Sequence, residues 1–252
     1  MADEKASAFE GKSFAPPKSF TEKAYIKSRE EYEKLYAESV KDPEGFWAKI
    51  GDEYITWFKK WDKVNEENYK EGDIKWYLGG KLNACYNCLD RHLGTDLENK
   101  TALISEGNDP SEDIKYTYKE LHSEVSKFAN VLKDQGVKKG DRVTLYLPMI
   151  AQLAIAVLAC ARIGAIHSVV FGGFSADALK DRIIDCDSKL LVTCDGTFRG
   201  AKAVPQKDNA DKAVEGTPVT KVIVVNRVGD KIKCEWKEGG DLWWEDLMAK
   251  AS

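Results

Sequence analysis

The sequence predicts an α/β protein, a helical amino-terminal prelude followed by a largely parallel α/β unit, and three observations carry that prediction. Arg142 to Leu147, Ile166 to Phe171 and Leu190 to Cys194 are short β-prone runs separated by helical patterns, the alternation that builds a parallel sheet. Val219 to Val225 is a continuous β-branched run, which suits a strand buried on both faces. Between residues 28 and 50 the spacing is helical, with a start signal before each stripe of apolar residues.

Residues 1–20 are poor in apolar side chains and hold Pro16-Pro17, so they read as a flexible arm without a core of its own. Ser28 with Glu31 forms a capping-box pattern opening a helix through Tyr32, Leu35 and Tyr36. Asp42-Pro43-Glu44 opens the next, with a capping carboxylate and a proline where its missing N–H costs nothing; Phe46, Trp47 and Ile50 are its buried stripe. Four of the seven tryptophans fall between Trp47 and Trp76, and so many large aromatics in a helical prelude read as a docking surface. The prelude is taken as 21–94.

The main unit, 95–252, opens with a weak strand over Ala102 to Ser105. A turn cluster from Gly107 to Ser111 lets Lys115 to Thr117 pair back on it. Thr117 and Glu120 then box the start of a helix whose apolar face is Leu121, Val125, Phe128, Ala129 and Leu132, and Gly136 stops it. The Arg142 strand ends at Pro148. Met149 to Ile163 is an apolar helix closed by Gly164; Ile166 to Phe171 runs into Gly172-Gly173-Phe174-Ser175; a further helix and the Leu190 strand follow. After Cys194 comes a loop carrying Gly196, Arg199 and Lys202, then a charged helical segment, the Val219 strand, and a turn and helix over Gly239 to Ser252. If the domain is incomplete at Ser252, the Val219 strand and the Trp243-Trp244 segment are expected to expose an apolar patch.

Composition excludes several classes. Lys+Arg 38 against Asp+Glu 42 gives a net charge of −4, so no bulk field draws nucleic acid or an anionic membrane, and any anion site must be local. The opening MADEKASAFE has acids and no apolar run, unlike a secretory or mitochondrial leader, and Met149 to Ala161 is too short to span a bilayer. A cytoplasmic protein is expected. Six cysteines are scattered along the chain; Cys160, Cys186 and Cys194 lie in core elements, where a thiol packs as a small hydrophobe. Cys85-x-x-Cys88 with His92 lacks a second ligand pair, so no metal site is assigned.

Neither a Walker loop nor a dinucleotide fingerprint occurs, and no nucleophile elbow accompanies the three histidines, so no residue is assigned a catalytic role. Gly172-Gly173, just past Phe171 at a strand's carboxyl end, offers a turn that a ligand can approach closely, and serves equally as a plain strand-to-helix turn. Arg199 and Lys202, flanked by Gly196, Gly200 and Ala201, can clamp a phosphate, the guanidinium by its fork; taken alone, the reading as ordinary solvated charges outweighs that one. Asn87, Asp90, Arg91 and His92 read as a hydrogen-bonded structural junction.

Several of these runs together resemble AMP-forming acetyl-CoA synthetases of the adenylate-forming superfamily. They are Trp76-Tyr77 with Gly79-Gly80 and Leu82-Asn83; Tyr86-Asn87-Cys88-Leu89-Asp90-Arg91-His92; Leu147-Pro148-Met149; Ala161 to Ala165; Val169 to Ala176; and Asp241-Leu242-Trp243-Trp244 with Asp246-Leu247. The likeness runs from about residue 22 onward and extends to propionyl-type relatives. It implies a ligase that joins acetate to ATP as acetyl-adenylate, with magnesium assisting, and then passes the acetyl group to the CoA thiol. It also implies that 21–94 is the amino-terminal region of such an enzyme and 95–252 the first part of its AMP-binding domain.

By the same resemblance, Thr193 to Lys202 holds the nucleotide end of CoA, with Arg199 near its 3′-phosphate and Gly200, Ala201 and Lys202 beside it. Phe171, Gly172 and Gly173 lie along the pantetheine path. Lys202 carries charge without the fork of a guanidinium. The superfamily's Ser/Thr/Gly-rich phosphate loop does not occur in the sequence, so the chain by itself is expected to contribute CoA-binding elements and no adenylation. CoA, ATP and acetate are the implied partners, with no nucleic acid and no membrane. A non-catalytic α/β binding or assembly module built on the same front half is the competing reading.

Overall fold

The computed structural model describes residues 14–252, which divide into two compact units: 14–55 with 60–80, and 56–59 with 81–252. The arm expected over 1–20 lies outside the described residues as far as residue 13; past it, Phe14 and Phe20 are exposed.

The first unit holds α1 (Lys18–Thr21), α2 (Arg29–Lys41), α3 (Pro43–Tyr54), β1 (Lys63–Asn68) and β2 (Asp73–Leu78). The caps read from sequence are present: Ser28 Oγ accepts the Glu31 N–H at 3.1 Å, and the Asp42 carboxylate accepts that of Gly45 at 3.0 Å, with Pro43 as the first helical residue. The stretch predicted as helical beyond α3 instead contains an antiparallel hairpin, β1 paired to β2 from Lys63↔Leu78 to Asn68↔Asp73. Its strands are mostly polar and exposed, so no apolar alternation announces them. Trp47 and Trp76 meet edge to face at 6.0 Å, and the Tyr77 hydroxyl donates to the Trp47 carbonyl at 2.7 Å, so these rings organise the unit's own packing.

The second unit runs α4 (Ala84–Cys88), β3 (Thr101–Ser105), β4 (Ile114–Thr117), α5 (Tyr118–Asp134), β5 (Arg142–Leu147), α6 (Ala151–Ile163), β6 (Ile166–Phe171) and α7 (Ala176–Cys186). It continues with β7 (Leu190–Cys194), β8 (Gly196–Arg199), β9 (Lys202–Pro205), α8 (Lys207–Val214), β10 (Lys221–Val225), β11 (Asp241–Trp243) and α9 (Trp244–Lys250). Its centre is a five-stranded sheet in the order β11-β10-β7-β5-β6, every neighbouring pair parallel. Strand alternation divides the core in two. Val143, Leu145, Leu147, Val192 and Ile223 pack with α5 and α6 on one face; Tyr146, Leu191, Val222 and Val224 pack with Leu179 and Ile183 of α7 and Ala210 and Ala213 of α8 on the other. The helices that follow β5 and β6 therefore cover opposite faces, and the strand order reverses between β5 and β7. In open parallel sheets such a reversal leaves a crevice at the strands' carboxyl ends.

Local chemistry explains the elements. Thr117 and Glu120 form the predicted capping box, and Gly164, at φ +74°, closes α6 in the left-handed region that favours glycine. Phe128 of α5 is fully buried and stacks on Trp244 at 3.8 Å. Burying a side chain of that size contributes about 1.5–3 kcal/mol.

Three expectations are corrected. The loop carrying Gly196, Arg199 and Lys202 is an antiparallel hairpin, β8–β9, turning through Gly200 and Ala201, with Gly200 at φ +59°. The turn after Gly239 contains a strand, β11, which takes the edge of the sheet beside β10. The apolar patch expected at the Val219 strand and Trp243-Trp244 is absent: β11 and the helices cover Val222 to Val225 and Trp244, all 5% exposed or less. The exposed apolar residues of the sheet lie on β6, at Ile166, Val169 and Phe171, because β6 is the other edge.

Candidate functional site

At the carboxyl ends of β5 and β6 lies a cleft of about 200 Å³, beside the point where the strand order reverses. Leu147, Pro148 and Met149 form one wall, Phe171, Gly172 and Gly173 another, and Thr197, Phe198 and Arg199 of the β8–β9 hairpin the third. The crevice thus brings together two segments that the sequence could only name separately, the glycine turn and Arg199. Phe171 is 70% exposed and its ring meets Phe174 edge to face at 5.8 Å, so an apolar aromatic lip stands beside the opening.

Gly172 is required by close approach. A Cβ there would stand 3.2 Å from the Leu147 carbonyl oxygen and 3.3 Å from Gln206 Nε2. That amide is buried at the floor of the cleft, and its Nε2 donates to the Tyr146 carbonyl at 2.9 Å, holding β5 to the residue that follows β9. The Tyr146 hydroxyl donates in turn to the Phe174 carbonyl at 2.7 Å, fixing the far side of the glycine turn. Ser175 Oγ caps α7 by accepting the Ala178 N–H. The turn is therefore held from both ends before any ligand arrives.

The hairpin presents the charge. Arg199 and Lys202 are direct cross-strand partners, so their side chains leave the same face of the ribbon. Both are exposed, and among the described residues no carboxylate lies within ion-pair distance of either. Like charges placed directly opposite repel, and an anion between them relieves the repulsion. Arg199 lines the cleft while Lys202, Gly200 and Ala201 do not; these three stand at the hairpin's tip and outer edge. Asn108 Nδ2 donates to the Gly200 carbonyl at 3.0 Å, tying the tip to the loop between β3 and β4. Asn108, Gln206 and Phe198 are contributions that sequence reasoning missed. For the hairpin itself a signal existed, a two-residue turn opening with glycine between short runs.

The polar run near α4 is structural, as its pattern suggested. Arg162 of α6 grips Asp90 with two parallel bonds, Nη1 to Oδ2 at 2.7 Å and Nη2 to Oδ1 at 2.8 Å, and Nη2 also donates to His122 Nε2 at 2.8 Å. Asn83 Nδ2 donates to the carbonyls of Ala161 and Arg162, and the Asn87 amide pairs with both backbone groups of Thr56. Burial pushes the Asp90 carboxyl up, but the Arg162 guanidinium and the nearby His122 outweigh it and hold it below the usual range. Cys85 is buried with its thiol pushed up, and accepts from Arg162 at 3.3 Å; His92 packs on the Tyr118 ring at 4.7 Å. Cys85 and His92 are thus engaged elsewhere while Cys88 is exposed, and the described residues contain no group of three or more His, Cys, Asp or Glu able to hold a metal ion. None of the described helices is long and apolar enough to cross a membrane.

Comparison with known proteins agrees with this architecture. A family model described as AMP-binding enzyme matches residues 90–249, and one described as acetyl-coenzyme A synthetase N-terminus matches residues 32–88. The chain is 50% identical to the acetyl-coenzyme A synthetase of Alkalilimnicola ehrlichii over 242 residues, 96% of this chain and 37% of that protein. It is 53% identical to that of Leptospira biflexa over 236 residues, 93% of this chain and 36% of the relative. It therefore spans little more than a third of the length of these relatives. Among solved structures, acetoacetyl-CoA synthetase from Streptomyces lividans superposes with a TM-score of 0.77 at 28% identity, covering 88% of this chain and 33% of that one. A parallel sheet with its crevice at the β5–β7 reversal, under a family model that takes in most of the chain, identifies this protein as a member of the AMP-binding enzymes whose front carries the acetyl-coenzyme A synthetase N-terminus.

Proposed function

We propose that this chain is the front of an AMP-forming acetate–CoA ligase and that its cleft receives coenzyme A, with the nucleotide's phosphate at Arg199 and the pantetheine chain along Phe171, Gly172 and Gly173. The observation that carries the reading is the cross-strand pair Arg199↔Lys202, two cations on one face of a hairpin with no acid beside them, at the rim of an apolar cleft. Such a site matches a ligand with a dianionic phosphate at one end and a long, largely uncharged chain at the other. Lys202, Gly200 and Ala201 shape the outer edge of the phosphate site. ATP, acetate and magnesium belong to the activity of the whole protein, in the cytoplasm, and no residue here is assigned to them. The preference for acetate over propionate is proposed on the identity of the relatives alone.

The test compares coenzyme A with dephospho-coenzyme A. Arg199→Ala removes a charge-assisted contact of roughly 1.5–3 kcal/mol, so affinity for coenzyme A should fall about tenfold or more and the preference for the phosphorylated form should vanish. In the longer enzyme the loss should appear in the Michaelis constant for coenzyme A, while acetyl-adenylate formation survives. Loss of adenylate formation with unchanged affinity for coenzyme A would overturn the assignment. The 252-residue chain itself should give only background acetate-dependent ATP–pyrophosphate exchange. A chain that binds neither form of the coenzyme would favour the non-catalytic assembly module.

A further inference from the structure

A hairpin of two four-residue strands is marginal on its own, so the order of Arg199 must be borrowed from elsewhere. We infer that Asp195 is the positioning residue of this hairpin: its carboxylate and its carbonyl together fasten both legs of β8–β9 to the sheet and to the loop after β10.

Asp195 directly follows β7 and is 3% exposed. Its Oδ1 accepts the backbone N–H groups of Gly196 at 2.6 Å, Arg227 at 2.9 Å and Val228 at 3.1 Å, and its Oδ2 accepts those of Val228 at 3.2 Å and Gly229 at 2.8 Å. The N–H groups of Arg227, Val228 and Gly229 converge on one carboxylate at a turn where Val228 is right-handed, at φ −110° and ψ −18°, and the chain leaves it through Gly229 at φ +58°. Such a run of successive N–H groups makes a concave anion site. Here the chain fills that site with its own side chain.

The main chain of the same residue grips the other leg. The Asp195 carbonyl accepts the N–H groups of Gln206 at 3.1 Å and Lys207 at 3.2 Å, just past the end of β9, and its own N–H donates to the Val225 carbonyl at 3.0 Å. One residue therefore holds the first position of the hairpin and the position that leaves it. The root is packed tightly as well: a Cβ on Gly196 would stand 2.5 Å from Ile232 Cδ1 and 2.8 Å from both the Val204 carbonyl oxygen and Val228 Cγ2. Farther out, the Phe198 ring carries Lys231 Nζ at 4.6 Å and the Arg227 guanidinium at 5.4 Å, so the gathered loop backs the strand that ends in Arg199. Asp195 does not line the cleft, and it acts on Arg199 through the backbone it fixes. The consequence for coenzyme A rests on the function proposed above; the positioning does not.

The experiment uses two variants of the chain. Asp195→Asn keeps the shape and replaces one acceptor by a group that donates toward N–H groups, while Gly229→Ala strains the turn and leaves Asp195 untouched, so one of them serves if the other fails to fold. Amide hydrogen exchange should be accelerated about tenfold or more at residues 197–204 in both, with β5 amides within about twofold of the parent. The preference for coenzyme A over dephospho-coenzyme A should shrink to that of Arg199→Ala. Hairpin exchange within about twofold of the parent in the folded variants, or equal acceleration in β5, would overturn the inference. A parent chain that does not distinguish the two coenzymes would refute the reading of Arg199, while the exchange comparison still decides the role of Asp195.

Discussion

Truncating Asp90 to alanine should destabilise the second unit by an amount the geometry bounds. The change removes two parallel charge-assisted bonds to Arg162 and leaves that guanidinium, its side chain 24% exposed, without a counter-charge. Breaking a fully buried pair by removing one partner costs roughly 3–5 kcal/mol, while an exposed pair is worth about 0–1 kcal/mol. Side chains a fifth to a quarter exposed fall between, so about 2–3 kcal/mol is expected, or a fall in melting temperature on the order of 5–10 °C for a domain of this size. Denaturant unfolding followed by circular dichroism provides the measurement. Glu124→Ala is the control, since its contact with Lys127 is a single bond, longer at 3.3 Å and more exposed than the Asp90 pair, and should be worth about 0.5 kcal/mol. The pH dependence has a definite sign. The folded carboxyl sits below its unfolded value, so the pair's contribution is complete above the unfolded value of about 4 and is lost as pH falls through the lower, folded one. The gap between parent and variant should stay level from about pH 8 to 5 and close only below about 4. A loss no larger than that of Glu124→Ala, or a gap that closes near neutrality, would refute the reasoning.

Three further outcomes are expected. Lys207, wholly buried between Asp211 and Asp241 at 2.7 and 2.8 Å, should cost roughly 3–5 kcal/mol when replaced by methionine, and adding Asp241→Asn should return part of the loss in denaturant titrations. Iodoacetamide at pH 8 should label the exposed Cys88 first by mass spectrometry, whereas Cys160, buried and pushed up to about 12, and Cys194, also raised by burial, should react only after unfolding. Gly172→Ala should cost about 1–3 kcal/mol in thermal melts by pressing on the Leu147 carbonyl and the Gln206 amide, and should weaken coenzyme A binding where it narrows the cleft.

The legible parts of this fold are those whose causes lie within a few residues. Thr117 and Glu120 cap each other across one helical turn; Arg142–Leu147, Ile166–Phe171 and Leu190–Cys194 are bounded by proline, glycine or a change of period, and all three strands fall on the predicted residues. The missed hairpins lacked alternation: the strands of β1–β2 are mostly exposed, and β8–β9, whose glycine turn was the one local signal, is too short for alternation to accumulate. At the site, Arg199 and the glycine turn were readable as chemistry, but their meeting depends on a strand order that no local pattern encodes. Asp195 is harder still, since all but one of its carboxylate's partners are backbone N–H groups more than thirty positions away, which carry no residue identity.

The order in which the sheet's strands pair bears on how the protein is made. β5 is the first of its strands to leave the ribosome. β6 joins one side of it and β7 the other, β10 adds to β7, and β11 adds to β10. No strand has to be threaded between two that are already paired, so the sheet can lengthen outward during synthesis, each newcomer meeting a free edge, and β6, β7 and β10 each with a crossover helix already behind it. The slow step is then the closure that joins β7 to β5 across α6, β6 and α7, because that loop must form before its ladder rewards it. Arrested nascent chains exposing residues up to about 175 should remain protease-sensitive at β5, and resistance should appear once Cys194 has emerged.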